Sequence, residues 1–268
     1  MITPGTQDNR DDRSLRAAGV DLTTWVNRWD AQQAQFMADR EGRFQILFDA
    51  LEAAIGDGPM TVLDLGCGPG SLAVRLLDRF QAAEVIAVDI DPVLLTLGRG
   101  AYAGRERLTF VTADLRDPRW HEAVGLADAV VSSTALHWLR PDETERLYCD
   151  LADLIRPDGV FLDADQARSG PDETGLAEAA TRVAQLHRAR LQAGTPPAES
   201  WQGWWDAVRA EPAFADAVAE RDRLGHVHPH GRHELSDSDQ RRLLREAGFQ
   251  ATDVLWRHGD DRILAARR

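Results

Sequence analysis

Val62-Leu63-Asp64-Leu65-Gly66-Cys67-Gly68-Pro69-Gly70 holds the densest chemistry in this chain. An apolar run there enters a loop in which every second residue is glycine. Glycine adopts backbone conformations closed to other residues and lets the main chain approach a ligand closely. On its own the pattern also serves as a tight strand-to-helix turn. Asp89 ends the next apolar run, roughly 20 residues on, where an acid is placed to grip ribose hydroxyls. Asp114 ends the third run, where it can meet an adenine amino group. Pyrophosphate loops use a bare helix N-terminus and the spacing G-x-G-x-x-G. Here the third glycine is Gly70, Pro69 lacks an N–H, and Asp64 adds negative charge beside the loop. These features suit an ammonium group better than a phosphate. A nucleoside carrying a zwitterionic methionine tail fits them.

A second set of residues can serve an acceptor. His137, in Ala135-Leu136-His137-Trp138-Leu139, is the best general-base candidate, because histidine changes charge near neutral pH. The alternative, that it lines the pocket, is favoured here, since a carboxylate acceptor is already ionised and needs no base. Trp201, Trp204 and Trp205 cluster at helical spacing, either as plain core or as an aromatic acceptor pocket. With Trp29, Trp138, His228 and His230 they make up the candidate substrate pocket. His226, His228, His230 and His233 alternate, but Pro229 and Gly231 interrupt them, so a substrate-contacting lid loop is expected rather than a metal site. Asp163 and Asp165 are a weak divalent-ion pattern. No metal is expected.

Composition narrows the classes. The 268 residues carry 31 basic and 44 acidic side chains, for a net charge of −13. That balance argues against a dedicated nucleic-acid binder. Every basic residue is arginine, which excludes pyridoxal Schiff-base, Walker A and kinase lysine chemistry. A GC-rich genome is the expected reason for the bias. Two cysteines, Cys67 and Cys149, build neither a disulfide framework nor a zinc knuckle. No membrane span or secretory leader is apparent, so a cytoplasmic location is expected.

The elements that must position these residues follow from periodicity. Leu22 to Ile55 recurs at helical intervals. Apolar strands then begin at Met60, Val85, Leu108, Ala129 and Val160, alternating with helices from Ser71, Pro92 and Glu143. That alternation predicts an α/β fold: a Rossmann-like, doubly wound, mostly parallel sheet that binds its ligand at the strand ends. The expected organisation is a helical cap over residues 1–56 and the main domain over 57–268. A helical lid insert is expected at about 166–235, after the fifth strand. Ser236 and Gly248 bracket a last helix, and two closing strands flank Gly259-Asp260.

In its DLGCGPG loop, VIAVDIDP strand end, TADL, ALHWL and IRPDGVF segments, the chain resembles class I S-adenosylmethionine-dependent methyltransferases. The likeness covers about residues 60–165 and is nearest to the small-molecule branch that includes trans-aconitate methyltransferase. The resemblance implies that Asp64, Gly66, Cys67, Gly68 and Gly70 cradle the methionine portion of the cofactor. It implies Asp89 at the ribose, Ile90, Asp114 and Leu115 at the adenine, and Ser132 and Thr134 near the sulfonium and tail. Arg40 is a candidate partner for the cofactor carboxylate or a plain surface ion pair. The implied reaction is methyl transfer from S-adenosylmethionine to a small-molecule acceptor, with S-adenosylhomocysteine as product. A protein of this fold that binds the cofactor without methylating is the alternative.

Overall fold

The computed structural model describes residues 19–37, 39–166, 174–194, 198–225 and 235–268. Seven strands form one sheet: β1 (Met60–Leu65), β2 (Ala83–Asp89), β3 (Leu108–Thr112), β4 (Ala127–Ser133), β5 (Ile155–Gln166), β6 (Ala251–His258) and β7 (Asp261–Arg267). Their order is β3-β2-β1-β4-β5-β7-β6. The first five strands run parallel, and β7 pairs antiparallel with β5 and with β6. Parallel strands are covered on both faces, which explains why β1 and β4 read as continuous apolar runs. Two apolar cores result. One joins α2 (Arg40–Ile55) and α3 (Ser71–Arg79) to one sheet face. The other joins α5 (Pro141–Leu154) and α9 (Asp237–Glu246) to the opposite face.

Winding reverses between β1 and β4, so the segments that follow these strands diverge and open a crevice. This is the topological switch point at which such sheets bind ligands. The glycine loop lies on one side of it and Thr134 to Leu139 on the other.

A third core lies outside the sheet. It joins α1 (Leu22–Gln33), α4 (Pro92–Ala101) and α7 (Trp201–Ala210) with Phe214 and, partly buried, Ala217 and Val218 of α8 (Ala215–Leu224). Trp204 is fully buried there, its ring 4.9 Å from those of Trp29 and Trp205 and 6.3 Å from that of Trp25. Part of the segment after β5 therefore packs directly on α1. The remaining helix of that segment, α6 (Thr174–Leu191), packs toward β6.

The periodic stretch Leu22–Ile55 is two helices rather than one. Asp21 caps α1 by accepting from the Thr23 and Thr24 N–H groups, and Asp39 caps α2 through the Gly42 N–H. The Ser236 cap on α9 forms as expected, accepting from the Asp239 N–H at 3.1 Å. No helix among the described residues is long and apolar enough to cross a membrane.

Candidate cofactor and acceptor site

Strand β1 delivers Asp64 fully buried beside the loop. The Gly66 and Cys67 N–H groups donate to the Val88 carbonyl of β2, at 2.8 and 3.0 Å, which pins the loop to the neighbouring strand. Gly66, Gly68 and Gly70 all have positive φ, +67°, +56° and +87°. Their surroundings differ. A Cβ on Gly66 would lie 2.3 Å from the Ala135 Cβ, and one on Gly70 would lie 2.7 Å from the Phe110 ring. On Gly68 it would approach no protein atom closer than 3.8 Å. Gly66 and Gly68 both border the crevice, whereas Gly70 does not line it and serves close packing.

The crevice has two connected parts. The larger has a volume of about 700 Å³ and is bordered by Trp29, Asp89, Ile90, Leu115, His137 and Trp201, among others. The smaller, about 70 Å³, lies against Arg40, Asp64, Cys67, Ser71 and Ser133. Trp29, Gln33, Met37, Gly66, Gly68 and Thr134 border both. Thr134 has φ +55°, a costly conformation for a β-branched residue, and its N–H donates to the Ala164 carbonyl at 3.0 Å.

The small compartment holds two unsatisfied polar atoms. Asp64 Oδ2 and Arg40 Nε are both buried without a hydrogen-bond partner. Such groups are costly to leave unmade, and here one is an acceptor and the other a donor. Arg40 also reaches Asp30 at 3.1 Å, so it is a buried ion-pair member rather than a surface one. Burial, and then the charge of Asp89, push the Asp64 carboxyl up to about 7. Asp89 is pushed up to about 6, by burial first, against hydrogen bonds from the Asp91, Gly68 and Ile90 backbone. The Gly68 N–H donates to Asp89 Oδ2 at 2.7 Å, tying the end of β2 to the glycine loop.

Asp114 borders the larger cavity, but Arg116 holds its carboxylate through both oxygens, Nε to Oδ1 at 2.8 Å and Nη2 to Oδ2 at 2.9 Å. Ser132 does not face the crevice. It is fully buried and its hydroxyl donates to the Leu65 carbonyl at 2.8 Å, a bond between β4 and β1. Its neighbour Ser133, on the opposite face of the strand, borders the small compartment instead. Trp29, Trp138 and Trp201 border the larger cavity. Trp204 and Trp205 do not; they are core, with the Arg221 guanidinium 3.9 Å above the Trp205 ring. His228 and His230, with His226 and His233, lie outside the described residues.

His137 is not alone. Its Nδ1 lies 2.8 Å from Asp165 Oδ2, a pairing that sequence spacing did not reveal. Burial would raise the Asp165 carboxyl. The charge and hydrogen bond of His137, helped by Arg262, outweigh that and hold it below the usual carboxylate range. Asp163 is bound by Arg262 Nη1 at 2.8 Å. The two acids thus serve an imidazole and a guanidinium. No group of three metal-ligating side chains gathers among the described residues. Arg43 and Arg262, both buried, were also missed by sequence reasoning. Arg43 bridges Asp261 at 2.7 Å and the Ser133 hydroxyl at 3.0 Å, bracing the floor of the small compartment.

Residues 62–159 match a family described as a methyltransferase domain. Over that stretch the chain is similar to a methyltransferase domain. It is 34% identical over 133 residues to a trans-aconitate 2-methyltransferase of Azoarcus sp. (strain BH72), covering 50% of this chain and 49% of that protein. It is 37% identical over 119 residues to one from Mycobacterium sp. (strain KMS), covering 44% of this chain and 42% of that protein. The chain thus matches about half the length of these curated relatives or less. An O-methyltransferase family protein from Burkholderia thailandensis has the same fold, with a TM-score of 0.54 at 19% identity. That likeness covers 84% of this chain and 55% of that one.

Proposed function

We propose that the protein transfers a methyl group from S-adenosylmethionine to a small-molecule acceptor and releases S-adenosylhomocysteine. The observation that carries this reading is the small compartment, where a buried carboxylate oxygen and a buried guanidinium nitrogen both lack partners. A zwitterionic amino-acid tail brings the ammonium and carboxylate that complement them. The larger cavity continues past Asp89, Ile90 and Leu115, which suits a ribose and an adenine. Its size falls within the range of roughly 300–1,000 Å³ typical of small-ligand sites.

The cofactor, when bound, supplies a methyl already activated by its sulfonium. The chain's own residues do the rest. Asp64 and Arg40 hold the two ends of the tail, and Asp89 accepts from ribose hydroxyls while retaining the Gly68 N–H. Gly68 lets the main chain lie against the ligand. The aromatic side chains around the crevice exclude water and keep the acceptor in line with the methyl, which is where such a reaction gains most of its rate. The relatives' names specify trans-aconitate, a tricarboxylate.

S-adenosylmethionine labelled in its methyl group tests the reading, with the intact protein and a mixture of small organic acids, phenols and amines. Label is expected in an extractable small molecule, with one S-adenosylhomocysteine formed per label transferred. Cofactor binding without any transfer would instead favour a protein that binds S-adenosylmethionine without methylating.

A further inference from the structure

His137 lies on the short 3₁₀ turn Leu136–Trp138 that follows β4, and Asp165 lies near the end of β5. Parallel pairing, with Ser133 opposite Ala164, brings the two turns of chain together. Both side chains are nearly enclosed, His137 at 9% exposure and Asp165 at 3%. The Gln166 N–H holds the other Asp165 oxygen at 2.7 Å. An ionised carboxylate only accepts, so it keeps a ring proton on Nδ1, and in the neutral ring the lone pair is then on Nε2. His137 itself borders the large cavity.

A positioned base is useful only to an acceptor that must lose a proton. A carboxylic acid arrives ionised at neutral pH. A phenolic hydroxyl, with a pKa of about 10 by analogy with tyrosine, arrives protonated. The walls agree with the second. Trp29, Phe36, Trp138 and Trp201 offer flat apolar surface. Among the described residues bordering the large cavity the one cationic side chain is Arg116, which Asp114 already holds at both oxygens. Among these described residues a polycarboxylate would find no dedicated counter-charge.

We propose that the acceptor is a phenolic hydroxyl on a flat, uncharged ring system, with His137 as the catalytic base and Asp165 as its positioning residue. The inference rests on the methyl-transfer reading above. His137 Nε2 takes the hydroxyl proton as the oxygen forms its bond to the methyl carbon. The carbon–sulfur bond breaks, and its electron pair stays on sulfur as a neutral thioether. The products are an aryl methyl ether, S-adenosylhomocysteine and an imidazolium that returns its proton to water.

Three acceptors with comparable bulk decide it: 2-naphthol, 1-nitro-2-naphthol, whose hydroxyl is ionised at neutral pH, and 2-naphthoate. Trans-aconitate is the fourth. Calorimetry with S-adenosylhomocysteine, run alongside, separates cofactor binding from acceptor choice. The wild-type protein is expected to methylate 2-naphthol at least about tenfold faster than either carboxylate. His137→Asn and Asp165→Asn should bind S-adenosylhomocysteine as the wild type does. Both should lose about 10²-fold or more in kcat on 2-naphthol, the scale of general-base catalysis. Their loss on the nitro compound should be at least tenfold smaller, because that oxygen needs no base. Equal losses on both naphthols, or faster turnover of either carboxylate, would overturn the inference. So would S-adenosylhomocysteine binding with no turnover of 2-naphthol. Failure of the wild type to bind S-adenosylhomocysteine would overturn the methyltransferase reading and this inference with it.

Discussion

Asp64→Asn is expected to stabilise the ligand-free protein at pH 8 while lowering its affinity for S-adenosylmethionine about 100-fold. Burial pushes the Asp64 carboxyl up to about 7 in the folded chain, with the Asp89 charge adding to the effect. Unfolded, an aspartate titrates near 3.9. The folded state therefore holds the proton more tightly, and stability declines as pH rises from about 4 through about 7. Above that range the full cost applies, on the order of 4 kcal/mol for a shift of about three pKa units. An amide of the same shape keeps the oxygen that accepts from the Ala73 N–H and removes the charge. The melting temperature should rise by several degrees at pH 8 and by roughly a third as much at pH 5, where Asp64 is neutral in the folded chain but the unfolded chain already ionises it. The affinity falls because the ammonium loses a charged hydrogen bond, worth about 1.5–3 kcal/mol. Thermal unfolding at the two pH values and calorimetry with S-adenosylmethionine check both halves. Unchanged affinity would remove Asp64 from the site.

Gly68→Val and Gly66→Val are expected to fail in different ways. Both positions have positive φ, so each variant carries backbone strain of about 1–2 kcal/mol. At Gly66 the new Cβ would also meet the Ala135 Cβ at 2.3 Å, where the β1 and β4 ends close together. That clash adds an overpacking cost of about 1–3 kcal/mol, so Gly66→Val should unfold at clearly lower denaturant. At Gly68 the side chain enters the crevice, with Leu94 Cδ1 and Trp29 no nearer than 3.8 Å to its Cβ. Gly68→Val should stay folded and lose S-adenosylmethionine binding below detection. Denaturant melts compared with calorimetry separate the two. Normal binding by Gly68→Val would mean that the loop does not cradle the ligand.

Much of this was legible because a parallel sheet writes itself into sequence as buried apolar runs ending in acids. The loop after β1 and Asp89 follow from that pattern, whereas the two closing strands, antiparallel to each other, were marked by the turn residues Gly259-Asp260 between them. Residues held by tertiary contacts did not. Leu22–Ile55 keeps its helical period across a break, because Asp39 can cap a new helix without disturbing the apolar spacing. Ser132 and Ser133 are adjacent, and only strand register decides which faces the crevice; the cross-strand bond to Leu65 took Ser132 away. Trp201, Trp204 and Trp205 share one short helix, yet its packing on Trp25 and Trp29 left Trp201 alone bordering the cavity. Asp165 resembled a weak metal pattern with Asp163, since nothing local says that β5 lies beside β4. That pairing makes His137 a cavity-bordering ring oriented by Asp165, which spacing in the sequence could not show.

The carboxylates of Asp64 and Asp89 beside the glycine loop are expected to receive the amino-acid and ribose parts of a nucleoside cofactor. S-adenosylhomocysteine titrated into the wild-type protein at pH 8 and at pH 6 tests it most directly. Binding favours the ionised form of Asp64, which burial pushes up to about 7, and of Asp89, pushed up to about 6. Affinity should therefore be highest at pH 8 and at least about tenfold weaker at pH 6, with protons released on binding at the lower pH. No binding at pH 8, or an affinity that does not change between the two, would contradict the account.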